Sequence, residues 1–435
     1  MSREELFRQA LKAYEAGDYH AASDRCEEAL KLDAADDGLT TRLIHLQLTA
    51  GELWWQPAPG ERVRGLIERA RGAAGEPALR ALADCLLGTH LIATESLTEA
   101  VGVLSSAADQ ARTSGDPLAM LYALSNLGHH MIGRDLDAGM RILREAQGVV
   151  DRPVRADDLP LFRVLRARLA GLVGVAEFDA GDFGAAEGHL VRSLAELRAA
   201  NAVDHFATIS NYLGQLLTAT GRFEAAERVL NEALDVLSTD AGLSTHHAYN
   251  LGLLGKLYLE WGRVDAAAAN VDEAFKRALV GGNPAVLPLL RNYLGEVAAT
   301  PGHPGHDPER AKLLFAETIR ECARTGFQRS EIYAEAMLAR TELALGDRLA
   351  ARSAGDRAAT RLREAGTMPA LRTEEIHLVH YEVLRAVGDP AADAALDEAH
   401  RILLRKAATL PPAHRETFLQ RVPVSRSIIK YRSSS

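Results

Sequence analysis

Apolar residues along this chain recur at the three-to-four-residue spacing of amphipathic helices, and that pattern is itself repeated at a longer interval. Three segments lie over one another. NYLGQLLTATGRFEAAERVLNEAL begins at Asn211, GLLGKLYLEWGRVDAAAANVDEAF at Gly252, and GLVGVAEFDAGDFGAAEGHLVRSL at Gly171. Each places a small residue in a first helix (Gly214, Gly255, Gly174) and a Gly-polar-apolar turn seven residues later (Gly221, Gly262, Gly181). An Ala follows five residues on (Ala226, Ala267, Ala186), inside a second amphipathic helix. The same spacing runs through Ala10, Gly17, Tyr19, Ala22 and Ala29, and through Leu87, Gly88, Ala100, Leu104 and Ala107. Two antiparallel helices about 8 to 10 Å apart need small residues where their backbones approach, and Gly leaves a helix in a left-handed turn at little cost.

This pattern resembles the tetratricopeptide repeat, whose consensus has Gly or Ala at place eight, Gly at fifteen, an aromatic at seventeen, and Ala at twenty and twenty-seven. The eighth place is filled in turn by Ala10, Gly88, Gly128, Gly174, Gly214, Gly255, Gly295 and Ala339. From Gly88 onward the steps are 40 to 46 residues (88 to 128, then 128 to 174) rather than the consensus length. That lengthening is similar to the long repeats of MalT-like and other signal-transduction ATPase regulators of actinobacteria. The step from Ala10 to Gly88 fits two repeats, with a degenerate one around RLIHLQLTAGELWW. The expected fold is therefore all-α, a right-handed superhelical solenoid of about ten antiparallel helix pairs, as the resemblance implies. The array is assigned to residues 1–412, and residues 413–435 to a capping helix and short tail. In the tail Phe418, Leu419, Val422, Pro423 and Arg426 match the closing segment of the repeat regions in those regulators. The ATPase, cyclase or helix-turn-helix modules of such relatives have no counterpart here.

Composition narrows the function classes. Apolar residues make up 47% but aromatics only 5%, a balance of Ala and Leu that favours helices. The net charge of −9 provides no basic field for phosphates, so nucleic acid is not an expected partner. Cys26, Cys85 and Cys322 are scattered, with no CxxC pair, which fits a reducing compartment. The charged, amphipathic start MSREELFRQALKAYEAGDY lacks the apolar stretch of a signal peptide, and no run is long enough to span a membrane, so a cytoplasmic protein is expected. Self-association is left open.

Candidate chemistry is sparse. Gly252-Leu-Leu-Gly255-Lys256 looks like part of a phosphate loop but has the wrong spacing, no Ser or Thr after the Lys, and a helical context. His303, His306 and Asp307 could supply three zinc ligands. The flanking Pro and Gly favour instead an exposed loop in which Asp307 caps the following helix, and no metal or cofactor is expected. His129-His130 and His246-His247 cannot chelate as pairs, because helical neighbours point about 100° apart. Neither HExxH nor GxSxG with supporting context occurs, and no catalytic residue is expected. Trp54-Trp55 reads as packing at the end of the degenerate repeat rather than as an exposed docking spot.

In the tetratricopeptide superhelix first helices line the concave side, at places two, five, nine and twelve. Carrying those places over yields a groove of Tyr122, Ser125, His129, Arg168, Thr208, Asn211, Gln215, Tyr249, Lys256, Asn292, Glu296, Tyr333 and Arg340. Asn and Gln each carry a donor and an acceptor, so they can bond both backbone groups of an extended peptide. The basic clamp that chaperone-binding relatives use for a carboxylate is not reproduced, and a polar stripe is also what any solvent-facing helix shows. A protein- or peptide-binding scaffold is thus the leading reading, ahead of a sensor for a small signal molecule and of an enzyme on a helical-repeat frame.

Overall fold

The computed structural model describes residues 1–32, 37–52, 60–94, 97–238, 244–281, 286–366 and 371–434; Trp54 and Trp55 lie outside them. Among these residues there are 22 α-helices and no β-strand. Ten antiparallel pairs follow one another: α1 (Arg3–Glu15) with α2 (Tyr19–Leu30), α3 (Gly38–Gln47) with α4 (Glu61–Ala73), α5 (Pro77–Thr94) with α6 (Leu97–Ser114), α7 (Pro117–Ile132) with α8 (Leu136–Gln147), and α9 (Leu159–Ala180) with α10 (Phe183–Ala199). The series continues with α11 (Val203–Ala219) and α12 (Phe223–Ser238), α13 (Ser244–Trp261) and α14 (Val264–Gly281), α15 (Leu287–Ala299) and α16 (Pro308–Thr325), α17 (Gln328–Leu345) and α18 (Arg348–Ala365), and α19 (Thr373–Ala386) and α20 (Ala392–Ala408). Two further helices, α21 (Pro412–Arg421) and α22 (Pro423–Ser434), end the chain. The all-α solenoid read from the sequence is the observed fold. In the degenerate second repeat, α3 runs into a π-helical turn at Leu48–Glu52.

Each pair is built as the repeat pattern requires. Gly17, Gly181, Gly221 and Gly262 all have φ between 75° and 84°, closing the first helix in the left-handed region. After Gly17 and Gly181 an Asp then caps the second helix: Asp18 accepts from the Ala21 N–H and Asp182 from the Ala185 N–H, each worth about 1 kcal/mol. The small eighth residue accepts the bulk of its partner helix. A Cβ on Gly88 would lie 2.6 Å from Leu104, one on Gly128 2.7 Å from Leu143, one on Gly214 2.6 Å from Leu230, and one on Gly295 2.6 Å from Phe315. The Ala of place twenty is fully buried at Ala22, Ala100, Ala186, Ala226 and Ala267.

A solenoid in which each repeat touches only its neighbours would be open, but this superhelix closes on itself about every five pairs. In the first pair, Tyr19 donates its hydroxyl to the Asn201 carbonyl (2.7 Å), between the fifth and sixth pairs. In the third pair, Thr98 lies against Gly326, between the eighth and ninth, where an added Cβ would meet its Oγ1 at 2.8 Å. The fifth pair meets the end of the chain: Phe183 stands edge-on to buried Phe418 with ring centroids 5.9 Å apart, and its N–H donates to Thr409 Oγ1 (3.1 Å). Arg421 forks onto both carboxylate oxygens of Glu224 in the sixth pair (2.9 and 3.0 Å). The turn glycines make this closeness possible, since Gly17 presents bare backbone to Asn201 and Gly221 to Arg421 and Thr417.

Candidate functional site

Closing the turns narrows the inner face, and the first helices from α5 to α19 divide most of its lining among three partly open cavities. The sequence-derived groove residues are distributed over all three. Tyr122, His129, Arg168 and Thr208 line a cavity of about 130 Å³ at the N-terminal end. Gln215, Lys256, Asn292 and Tyr333 line one of about 70 Å³ in the middle. Glu296 and Arg340 line a wider one of about 660 Å³ towards the C-terminus, which Pro423, Val424 and Ser427 of α22 wall off on one side. Ser125 and Asn211 are buried and Tyr249 half-buried, and none of the three lines these cavities.

The middle and C-terminal cavities meet at a network of charged groups, with Glu375 on both walls. Lys256 Nζ lies 2.5 Å from Glu296, 2.9 Å from the Tyr333 hydroxyl and 3.0 Å from Glu260. Glu260 in turn pairs with Arg372 (2.9 Å). Arg340 reaches Glu382 (3.2 Å) and Glu375 (3.4 Å). Burial opposes the charge on Lys256, but Glu296, Tyr333 and Glu260 outweigh it and hold the ammonium well above its ordinary range. Burial likewise opposes the Glu260 carboxylate, yet Arg372 and Lys256 bring it down to about 2. The inner stripe is polar here because its members pair with one another across the axis, and Lys256, Glu296, Tyr333 and Arg340 are engaged.

At the N-terminal cavity the lining is richer than the repeat register indicated. Asn126, His130, Asp204, His205 and His246 join the expected residues. His129 shares a hydrogen bond with the Tyr212 hydroxyl (2.9 Å), and its ring lies 4.7 Å from that of His130. His205 faces Asp204 at 3.3 Å. Burial, reinforced by the charge of Arg168, presses the His130 ring down to about 3. Burial holds His205 near 4 against the pull of Asp204. These rings are neutral donor-acceptors at neutral pH. The available signal was the register itself: His205 and His246 each stand nine residues ahead of their repeat's small glycine, Gly214 and Gly255, in the part of the first helix that exceeds the short consensus.

The remaining candidates have structural roles. Gly252 and Lys256 sit within α13, where Gly252 packs on Leu290. Asp307 caps α16 through the Arg310 N–H (2.9 Å), and His303 Nδ1 accepts from the Gly305 N–H (3.0 Å). Among the described residues no three His, Cys, Asp or Glu side chains are grouped to hold a metal ion. Cys26, Cys85 and Cys322 are buried and in no disulfide, and burial raises the thiols of Cys85 and Cys322, the latter to about 12. No described helix is long and apolar enough to cross a membrane.

Helix pairing, repeat register and closure together define a tetratricopeptide-type helical-repeat solenoid. Solved structures of that type are similar to the chain. One is a Rap protein complexed with competence and sporulation factor (14% identity, TM-score 0.53, covering 82% of this chain and 99% of that one). Another is the APC/C hetero-tetramer Cut9-Hcn1 (13% identity, TM-score 0.54, 94% of this chain and 74% of that one). At such identities the likeness is one of fold. A signal-transduction ATPase with a tetratricopeptide sensor from Pyrococcus horikoshii overlaps at 13% identity with a TM-score of 0.45, covering 91% of this chain and 53% of that one, too distant to carry the finer resemblance to such regulators. No protein-family model and no curated protein matches the chain in sequence.

Proposed function

We propose that the chain is a non-catalytic, regulatory binding module that holds an extended segment of a partner protein along the inner face of its superhelix. The observation that carries this reading is Asn292. It is fully buried on the wall of the middle cavity, and its Nδ2 donates to the Ser330 carbonyl (2.9 Å). Because that carbonyl can only accept, the orientation of the carboxamide is fixed, and Oδ1 has no partner in the protein. An acceptor so placed suits the N–H of an extended backbone. Asn211, at the equivalent place two pairs earlier, also has an unpartnered Oδ1. Tyr249 and Tyr333 are nearby aromatic anchors of the kind that dominates interfaces. The Rap structure with competence and sporulation factor and the Cut9-Hcn1 assembly support ligand and protein capture by this fold. Buried, protonated thiols support the absence of cysteine chemistry.

Affinity capture from the native host tests the reading. Asn211→Ala with Asn292→Ala should weaken capture about tenfold or more, since two buried backbone bonds are worth roughly 0.5 to 1.5 kcal/mol each. Leu349→Ala, on an exposed face of α18, should change nothing. If the folded double variant retains the partner while outer-face changes release it, the inner-face reading is wrong.

A further inference from the structure

The N-terminal cavity holds two opposite charges, Arg168 and Asp204, that do not meet in an ion pair. Arg168 on α9 is 8% exposed and makes one hydrogen bond, to the Asn126 side-chain oxygen (3.1 Å). A guanidinium has five N–H donors, so most of its capacity is left facing the cavity it lines. Among the described residues no carboxylate lies within ion-pair distance of it. Asp204, the one carboxylate in the lining, lies beyond that distance though near enough to favour the Arg168 charge, and the His205 ring 3.3 Å from it is neutral. Burying a guanidinium and a carboxylate that do not meet is costly, and a ligand placed between them would offset that cost.

We propose that this cavity is a binding site for a small monocarboxylate, with Arg168 as the fork that receives the two carboxylate oxygens. Three features select that chemistry. The planar guanidinium matches a carboxylate in two parallel hydrogen bonds. Asp204 in the same lining repels a dianion such as phosphate, while leaving a place for an ammonium on the same ligand. At about 130 Å³ the cavity is slightly smaller than the roughly 150 Å³ that takes a benzene ring, so it suits a ligand of about six heavy atoms, the size of alanine or lactate and not of a folded partner. Tyr122 and Thr208 supply hydroxyls around it. The site lies apart from Asn292 and does not depend on the peptide reading.

The test uses the full chain with alanine, glutamine, phenylalanine, lactate and benzoate at millimolar concentration, read by melting temperature and calorimetry. The matching primary amides and inorganic phosphate serve as the uncharged and dianionic arms. At least one carboxylate should bind and raise the melting temperature, and its amide and phosphate should not. Arg168→Met should abolish the response while the unliganded variant melts no lower than wild type, because an unpaired buried charge has been removed. Arg168→Lys, which keeps the charge but loses the fork, should weaken binding at least about tenfold. Asp204→Asn should weaken amino acids and spare lactate and benzoate if the ligand is a zwitterion, and spare all of them if it is a simple acid; either supports the site. The proposal is overturned if no carboxylate responds, if phosphate responds alone, if the response survives in Arg168→Met, or if that variant is destabilised, which would make the guanidinium a structural group.

Discussion

The repeat register is tested most directly at Gly214, where two physical effects of opposite sign meet. Replacing a helical Gly by Ala gains roughly 0.8 to 1 kcal/mol through helix propensity when the methyl has room. Gly188 on α10 and Gly102 on α6 provide that baseline, since an added Cβ meets nothing within 4 Å at either. At Gly214 the new Cβ would lie 2.6 Å from Leu230 Cδ2 and 2.8 Å from its Cγ, about 1 Å inside ordinary carbon contact. Leu230 is fully buried, so its side chain cannot swing out to solvent without leaving the core. Overpacking of this kind costs about 1 to 3 kcal/mol. Gly214→Ala is therefore expected to be neutral to about 2 kcal/mol destabilising, while Gly188→Ala and Gly102→Ala stabilise by up to about 1 kcal/mol.

A double-mutant cycle isolates the clash. Leu230→Ala alone should cost about 2 to 5 kcal/mol by leaving a cavity, and less in the Gly214→Ala background, where the methyl partly fills it and is no longer compressed. Thermal melts supply the ranking, and hydrogen exchange across α11 and α12 supplies the local value that a long repeat array can hide in a global transition. If Gly214→Ala stabilises as much as Gly188→Ala, the close approach of α11 and α12 is wrong, and with it the assignment of the eighth place along the chain.

Two more expectations follow from burial. His45, His130 and His205 have ring values pressed by burial to about 4, 3 and 4, below the ordinary 6.5. The unfolded chain therefore takes up protons first as pH falls, so their contribution is complete above pH 6.5 and lost as pH drops towards 4. At about 1.4 kcal/mol per ring per pH unit these three alone make denaturation at about pH 5.5 show about 4 kcal/mol less stability than at about pH 7.5, the lowered His129 adding to it, and His205→Gln should shrink the difference by about 1 kcal/mol; a flat profile would refute it. Phe418→Ala should cost about 3 to 5 kcal/mol and lower exchange protection in α10 as well as in α21, since the ring packs on Phe183; loss confined to α21 would mean that the turns do not support each other.

What the sequence made legible, and what it did not, divides along contact distance. Gly88, Gly128, Gly214 and Gly295 could be placed because each meets a large residue of the very next helix, within one repeat. The Tyr19–Asn201 and Phe183–Phe418 contacts join residues more than 180 positions apart, and nothing in either local segment specifies the partner. The same limit governed the inner face. Arg168, Tyr122, His129 and Thr208 could be named one by one from the register, but their convergence on one cavity depends on the curvature of the array. Asp204, His205 and His246 were passed over because a consensus of shorter helices has no place for them. The adjacent histidines were judged as pairs on one helix, whereas the cavity gathers rings from α7, α11 and α13.

Closure of the turns sets a condition on any ligand of the interior. Asn292 is fully buried and Arg168 nearly so, on cavities of about 70 and 130 Å³, and a ligand larger than these needs the superhelix to loosen. At the C-terminal end the turns are joined by the exposed Arg421–Glu224 fork, worth about 0 to 1 kcal/mol, and by the Phe418 ring against Phe183, worth about 3 to 5 kcal/mol to remove. At the N-terminal end they are joined by the Tyr19–Asn201 hydrogen bond, the Asn201 side chain on the Ala16 carbonyl, the exposed Arg163–Glu15 pair and the mostly buried Arg42–Asp158 pair. That seam stands on the side of the Arg168 cavity. A ligand of micromolar intrinsic affinity, about −8 kcal/mol, can offset the loss of several such contacts. If it binds the loosened form better than the closed one, the same free energy shifts the pitch of the whole array, because each turn rests on the next.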